Sequence, residues 1–457
     1  MEIIDPLDAA FLLAESREHP MHVGALMLFE PPADAGPEYV RAVYDQMVEN
    51  TNYHPTFLKR LATPRGSLGG LFWDHDTELD VEYHIRRVAM PTPGRIRELL
   101  SVVSRWHGTL LDRHKPLWEA HIIEGLADGR FAIYVKVHHA LLDGMSAQRL
   151  IQRRLSTDPN DRSCVPPWNR PEQPPTRRDK RSGFDPVGLL RAGGQAISDA
   201  AGMIPDAVTV ARKAMGDSDL ILPYRAPHTI LNVPIGGARR FAAQSWDFDR
   251  ISAVKKSAGV SVNDVVLAMC GGALRNYLID NNALPDASMS AFVPISTRAP
   301  DKLDAGGNAV GAIIASLGTD TPDSVERLDA VTASMTSAKS LFKSIGGLSG
   351  LAWSGAAVSP MILAGLPLIG RVTPHSFNVI ISNVPGPREE MYFNGARLDG
   401  MYPVSVVTDG QALNITLTNT AGTLDFGLIG CRRSLPSLQR ILSHLETELT
   451  ELEKAFV

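Results

Sequence analysis

Only three cysteines occur in the 457 residues, Cys164, Cys270 and Cys431. They are odd in number and widely spaced, which argues against a disulfide framework or a zinc spacing and fits a reducing, cytoplasmic compartment. Basic charge is also scarce: 45 Lys and Arg stand against 50 Asp and Glu, a net charge of −5. A nucleic-acid binder would carry a basic footprint, so that class is set aside. The start, MEIIDPLDAAFLLAESREHP, is acidic and lacks the basic opening and long apolar core of a signal peptide. No internal repeat is visible, and no G-x-S-x-G serine elbow. One stretch alone is long and uncharged enough to suggest a membrane span, residues 344–370 between Lys343 and Arg371. Its six glycines, four serines and two prolines speak against spanning. Helices lining a cavity, or an apolar face touching a membrane, explain it better.

What is present is an ordinary folded composition, 44% hydrophobic and 21% charged. The length exceeds one core, so two domains are expected. The chain is organised around Phe131 to Leu155, FAIYVKVHHALLDGMSAQRLIQRRL. An apolar, β-branched run through Val137 predicts a buried strand, and helical spacing resumes from Met145. Between them His138 and His139 sit where strand becomes loop, a place where a scaffold holds side chains at a cleft mouth.

A neutral imidazole can take a proton from a hydroxyl and return it to a leaving group. Neighbouring residues at a strand end point apart, so only one of the two histidines faces a given substrate. The other faces packing or a backbone partner. Asp143 can bond the turn backbone or pair with a buried arginine, and Gly144 permits backbone conformations closed to other residues. A metal site would need further ligands at sensible spacing, and none is visible.

The rest of the chain reads in order. DPLDAAFLL predicts a short helix with Asp5 as N-cap, structural in role, and HVGALMLFE a strand beside the cleft. Residues 37–50 and GRIRELLSVVSRWHGTLLD predict helices, the second with Leu99, Leu100, Val103, Trp106 and Leu110 on one face. His75 and His84 suit surface or packing roles. Pro116 and Trp118 follow; Trp118 fills core or walls a channel, and core is favoured. AHIIEGL predicts the strand pairing with the one before His138.

Residues 157–186 are rich in proline and charge and predict a linker or crossover. Its basic cluster, Arg177, Arg178, Lys180 and Arg181, reads first as a solvated charge run. An amphipathic helical stretch, 187–215, follows and can dock on the body or a membrane surface. From Asn232 a second domain begins. Ser261 caps a helix entered through Asn263 and Asp264, with Asp264 structural at the positive helix end. Asn263 either belongs to that start or donates a hydrogen bond into the cleft. SAFVPISTR ends a strand at Arg298, a candidate partner for Asp143. Phe377–Ile381 predicts a strand and Ser382–Pro387 a rigid turn, where Ser382 and Asn383 hold either an oxyanion or the loop. Three more strands follow, and then a tail helix with Leu438, Ile441, Leu442, Leu445, Leu449 and Leu452 as its packing stripe.

HHALLDG matches the HHxxxDG motif of the CoA-dependent acyltransferase superfamily. Pro116-Leu117-Trp118 matches its PLW motif, Asn263-Asp264 its ND motif, and FNVIISNVPGP the NVxxSNVPGP motif of one branch. With the N-terminal segment, RRFAAQSWDFDR, GMYPVS and GLIGCRRSLPSLQR, the chain resembles bacterial wax ester synthase/diacylglycerol acyltransferases along almost its whole length. Residues 157–231 diverge. Condensation domains share HHxxxDG but not the C-terminal half.

This resemblance implies an α/β (α+β) fold of two chloramphenicol-acetyltransferase-like subdomains, with mixed β-sheets meeting at a cleft or tunnel. The boundaries expected are 1–156 and 232–457, joined by 157–231. It implies transfer of a fatty acyl group from acyl-CoA to a long-chain fatty alcohol or to diacylglycerol, without cofactor or metal. His139 is the expected general base, His138 an orienting support, Asp143 a turn stabiliser, and Gly144 a point of close chain approach. Met401 to Ser405 and Ala352 to Met361 are candidate pocket residues. Peripheral attachment to the inner membrane or to lipid inclusions is expected of such substrates. Two alternatives stay open: an acyltransferase for another hydroxyl or amine acceptor, and a non-catalytic lipid-surface binding protein.

Overall fold

The structure is a computed structural model that describes residues 2–62, 72–170, 219–296, 310–344 and 375–457. In the N-terminal half the elements are β1 (Glu2–Ile3), α1 (Pro6–Ala14), β2 (His22–Glu30), α2 (Tyr39–Glu49), β3 (Lys59–Leu61) and β4 (Phe72–His75). Then come α3 (Val81–His84), β5 (Ile85–Ala89), α4 (Ile96–His107), β6 (Trp118–Glu124), β7 (Phe131–His138) and α5 (Gly144–Gln152). The C-terminal half opens with β8 (Arg239–Asp247), α6 (Phe248–Ala258), α7 (Val262–Asp280), β9 (Ser290–Ser296), β10 (Val310–Ser316) and α8 (Ser324–Ser344). It closes with β11 (Val379–Val384), β12 (Tyr392–Phe393), β13 (Ala396–Val404), β14 (Leu413–Thr420), β15 (Thr423–Cys431) and α9 (Arg440–Phe456).

Two six-stranded mixed sheets carry the fold, in the orders β12-β13-β2-β7-β6-β5 and β10-β9-β11-β14-β15-β8. A small β1-β4-β3 sheet flanks the first. The two-sheet α/β expectation holds. Two strands change sides: β12 and β13, from the C-terminal half, join the N-terminal sheet, where β13 pairs antiparallel with β2.

Side-chain alternation explains the layers. On β2 and β7, Ala25, Met27, Phe29, Phe131, Ile133, Val135 and Val137 fill one core. The opposite faces give Leu26, Leu28, Ala132 and Tyr134 to a second core, shared with Phe241, Ile429 and Cys431 of the C-terminal sheet. That shared core joins the two sheets. The outer face of the C-terminal sheet is covered by helices, and Val265, Met269, Ala273 and Tyr277 of α7 are wholly buried there. The tail stripe packs into the same core through Leu438, Ile441, Leu442, Leu445, Leu449 and Leu452.

Two sequence expectations need correction. The 94–112 helix ends at His107, so Leu110 lies beyond it and is 40% exposed. Ser382 and Asn383 are not in a turn. Their backbones pair in parallel register with Thr416 and Leu417, and β11 ends at Val384, before Pro385. A proline has no N–H to continue a ladder. Most of 344–370, and all of 187–215 and Arg177–Arg181, lie outside the described residues. Among the described residues no single helix is long and apolar enough to cross a membrane.

Candidate active site

Strand parity decides what the two histidines do. His138, the last residue of β7, shares a face with Tyr134 and Lys136 and is fully buried. Sheet register sets His22 of β2 directly opposite it. Both rings meet Glu15, just past α1. Glu15 Oε1 lies 3.3 Å from His138 Nε2 and 3.2 Å from His22 Nε2, and Arg113 donates to Oε2 at 3.0 Å. The Ala140 N–H donates to His138 Nδ1 at 3.0 Å. That bond places the ring proton on Nε2, facing the carboxylate. Burial would raise the Glu15 carboxyl, but the adjacent His138 and His22 imidazoles outweigh it and hold it well below the usual range.

Further polar groups lie buried in the same layer. His107 meets the Tyr134 hydroxyl at 2.8 Å and the Ser405 carbonyl at 3.0 Å. Lys136 donates to the Trp106 and Thr109 carbonyls at 2.8 and 2.9 Å and pairs with Glu119 at 2.7 Å. Sequence reading missed Glu15, His22 and this layer. One signal was available, since a lysine inside an apolar strand needs a buried partner.

His139 behaves differently. Its N–H donates to the Met21 carbonyl at 2.8 Å, and its ring is only partly covered. Among the described residues nothing hydrogen-bonds to Nε2. Phe11 of α1 stacks on the imidazole, centroids 4.0 Å apart and planes within 15°. Desolvation brings the imidazole down to about 4, against the opposing pull of its own carbonyl and Asp143.

The turn beyond is a helix start. Asp143 caps α5: Oδ1 accepts the Ser146 N–H and Oδ2 the Ser146 hydroxyl, each at 2.8 Å. The residue proposed as its partner, Arg298, lies outside the described residues. Gly144 requires correction: its φ is ordinary and a Cβ there would meet nothing within 4 Å, so among the described residues no close chain approach demands glycine.

Trp118 is entirely buried, donating to the Phe57 carbonyl at 2.8 Å and stacking on Trp168 and His84. It fills core rather than walling a channel. Pro116 is buried in the turn before it. Met401 is also wholly buried, opposite Met27, with its N–H on Asp425, so it belongs to the core and not to a pocket. The segment 352–361 lies outside the described residues.

The second half contributes a joined pair. The Asn383 amide donates to Asn263 Oδ1 at 2.8 Å, linking the end of β11 to the first turn of α7. Ser261 and Asp264 form a capping box at that helix start, Asp264 accepting the Ser261 N–H and hydroxyl. Ser382 is half-buried beside Thr416. Asn419 braces the following turn by accepting the Gly386 N–H and donating to the Gly386 and Pro387 carbonyls. From the other half, Gln148 and Gln152 of α5 both donate to the Pro385 carbonyl. The helix after the histidine turn is thus tied to the end of β11.

The profile of the wax ester synthase/diacylglycerol acyltransferase catalytic domain matches residues 4–266, and that of the C-terminal domain of the same family matches residues 306–453. The chain belongs to the wax ester synthase/diacylglycerol acyltransferase family. It is 51% identical over 455 residues to the probable diacylglycerol O-acyltransferase tgs2 of Mycobacterium tuberculosis, covering all of this chain and 99% of that one. It is 42% identical to the O-acyltransferase WSD of Acinetobacter baylyi, covering 99% and 97% of the two chains. The wax ester synthase/diacylglycerol acyltransferase of Marinobacter aquaeolei VT8 superposes with a TM-score of 0.80 at 41% identity, over 100% and 99% of the chains. A condensation domain of the CDA synthetase shares the fold alone, at a TM-score of 0.55 and 15% identity. As a family member the protein is an acyl-CoA-dependent O-acyltransferase.

Proposed function

We propose that His139 is the general base of a direct acyl transfer from acyl-CoA to a long-chain alcohol or to diacylglycerol. One observation carries this reading. Of the two histidines, His138 is committed to Glu15 and the Ala140 N–H, while among the described residues no side chain hydrogen-bonds the His139 ring, which is half-buried under Phe11. A ring neutral at physiological pH with an available lone pair can accept a hydroxyl proton.

The acceptor O–H proton passes to Nε2 as the oxygen attacks the thioester carbonyl. A tetrahedral oxyanion forms, the C–S bond breaks, and the imidazolium returns the proton to the departing thiolate. The ester and free CoA leave, and no acyl-enzyme forms. The imidazolium is stabilised by its own carbonyl and by Asp143. Asn263, Ser382 and Asn383 are the candidate oxyanion donors. Positioning both substrates supplies the rest of the acceleration. Water-insoluble acceptors favour peripheral attachment to a membrane or lipid inclusion.

The test combines purified protein, palmitoyl-CoA and either hexadecanol or a diacylglycerol. CoA release is followed with a thiol reagent and products are separated by thin-layer chromatography. Acceptor-dependent release, lost in His139→Ala, supports the reading and ranks the acceptors. Release that persists in a folded His139→Ala protein removes His139 as the base.

A further inference from the structure

The N-terminal segment reads as structural in sequence, yet one face of it touches both motif histidines. Phe11 and Glu15 are one helical turn apart, and the Glu15 N–H bonds the Phe11 carbonyl at 3.1 Å. Residues four apart share a helix face. Glu15 meets His138, while Phe11 lies flat on His139. The helix is anchored elsewhere: Ala9 and Leu12 are buried with Ile4, Trp73, Leu111, Leu117 and Ala140, and Phe11 sits only at the margin of that cluster.

We infer that Phe11 is a positioning residue for the transfer, its ring plane fixing the plane of His139 so that Nε2 is aimed at the acceptor hydroxyl. The argument is geometric. Among the described residues no side chain hydrogen-bonds the imidazole, so only packing keeps the ring from tipping. A parallel aromatic surface at 4.0 Å blocks tipping on that side. An aliphatic side chain would fill the space without defining a plane. Misaiming by about 1 Å costs about 10²-fold in rate. Phe11 also excludes water from the ring face. The charged and titratable groups acting on His139 are Asp143, which favours the imidazolium, and His138, which opposes it, with Glu15 facing His138.

The inference rests on His139 as base, so the test carries His139→Ala alongside. Phe11→Leu, Phe11→Ala and Phe11→Trp are compared in the full chain by kcat, KM for palmitoyl-CoA, the pH profile of kcat/KM, and melting temperature. Phe11→Leu and Phe11→Ala should lose about 10-fold or more in kcat with KM changed less than about twofold. Their acid limb should move to higher pH as water reaches the ring. Phe11→Trp, flat and apolar, should recover most of the rate. Phe11→Leu matching Phe11→Trp in rate and pH profile overturns the inference, as does rate loss that follows melting temperature alone. An active His139→Ala protein instead overturns the underlying reading.

Discussion

Glu15, just past α1, faces His138: Oε1 stands 3.3 Å from Nε2 in a place closed to solvent. The same oxygen faces His22, so one buried carboxylate orients two rings. Glu15→Gln keeps the shape but puts an amide where two imidazole nitrogens converge. The variant should lose about 1–3 kcal/mol of stability, because a buried donor is left unpaired. Turnover should fall as well, since the turn carrying His139 hangs on His138. Urea unfolding and CoA release on the same preparation check both, and an unchanged midpoint would mean the carboxylate is not needed to seat the rings.

His139→Ala should remove about 10²–10⁴-fold of turnover while circular dichroism and melting stay close to the parent. His139 is only half-buried and among the described residues no side chain hydrogen-bonds its ring, so little folding energy depends on it.

Asp143→Ala should cost about 1 kcal/mol of stability through loss of the α5 cap, together with activity. Asp143→Asn keeps a capping oxygen and should recover most of the stability. Normal melting in Asp143→Ala with turnover abolished would assign the carboxylate a chemical role instead.

Asn263 and Asn383 should behave as one unit. Each alanine variant removes the 2.8 Å bond between the end of β11 and the start of α7. The double variant should therefore be little worse than the worse single one in kcat/KM, a coupling of about 1 kcal/mol. Additive losses would show that the two amides act separately.

Acid should unfold the protein early. Burial brings His22 and His84 from an ordinary 6.5 to about 4. Between those values the unfolded chain binds protons that the folded chain refuses, so stability falls as pH drops from about 6.5 to about 4 and levels off below for these groups. The slope per histidine is about 1.4 kcal/mol per pH unit. Urea midpoints across that range measure it, and a flat profile would show that neither ring is held neutral.

The sequence carried most of the fold because its signals are local. The buried run before His138, the alternation in HVGALMLFE and the Ser261 cap each depend on neighbours in the chain. So does the prediction that adjacent histidines diverge, which follows from strand parity alone. What stayed hidden is long-range. Nothing local to Glu15 shows that it meets His138, or that Phe11 covers His139, because those contacts depend on where α1 docks. Ser382 and Asn383 read as turn residues because Pro385 and Gly386 follow just beyond Val384, yet pairing with β14 keeps them in the strand. Trp118 and Met401 were ambiguous for another reason: large apolar side chains suit a lipid channel and a core equally until burial is known.

The crossing of β13 has a consequence for synthesis. Residues 396–404 seal the outer edge of β2, and they lie late in the chain. A ribosome must therefore release most of the protein before the first sheet is closed, and until then the apolar strand from His22 to Glu30 is an open edge. Nascent chains stalled before residue 396 should be taken up by chaperones or aggregate, and the two halves made as separate polypeptides should each be insoluble unless produced together.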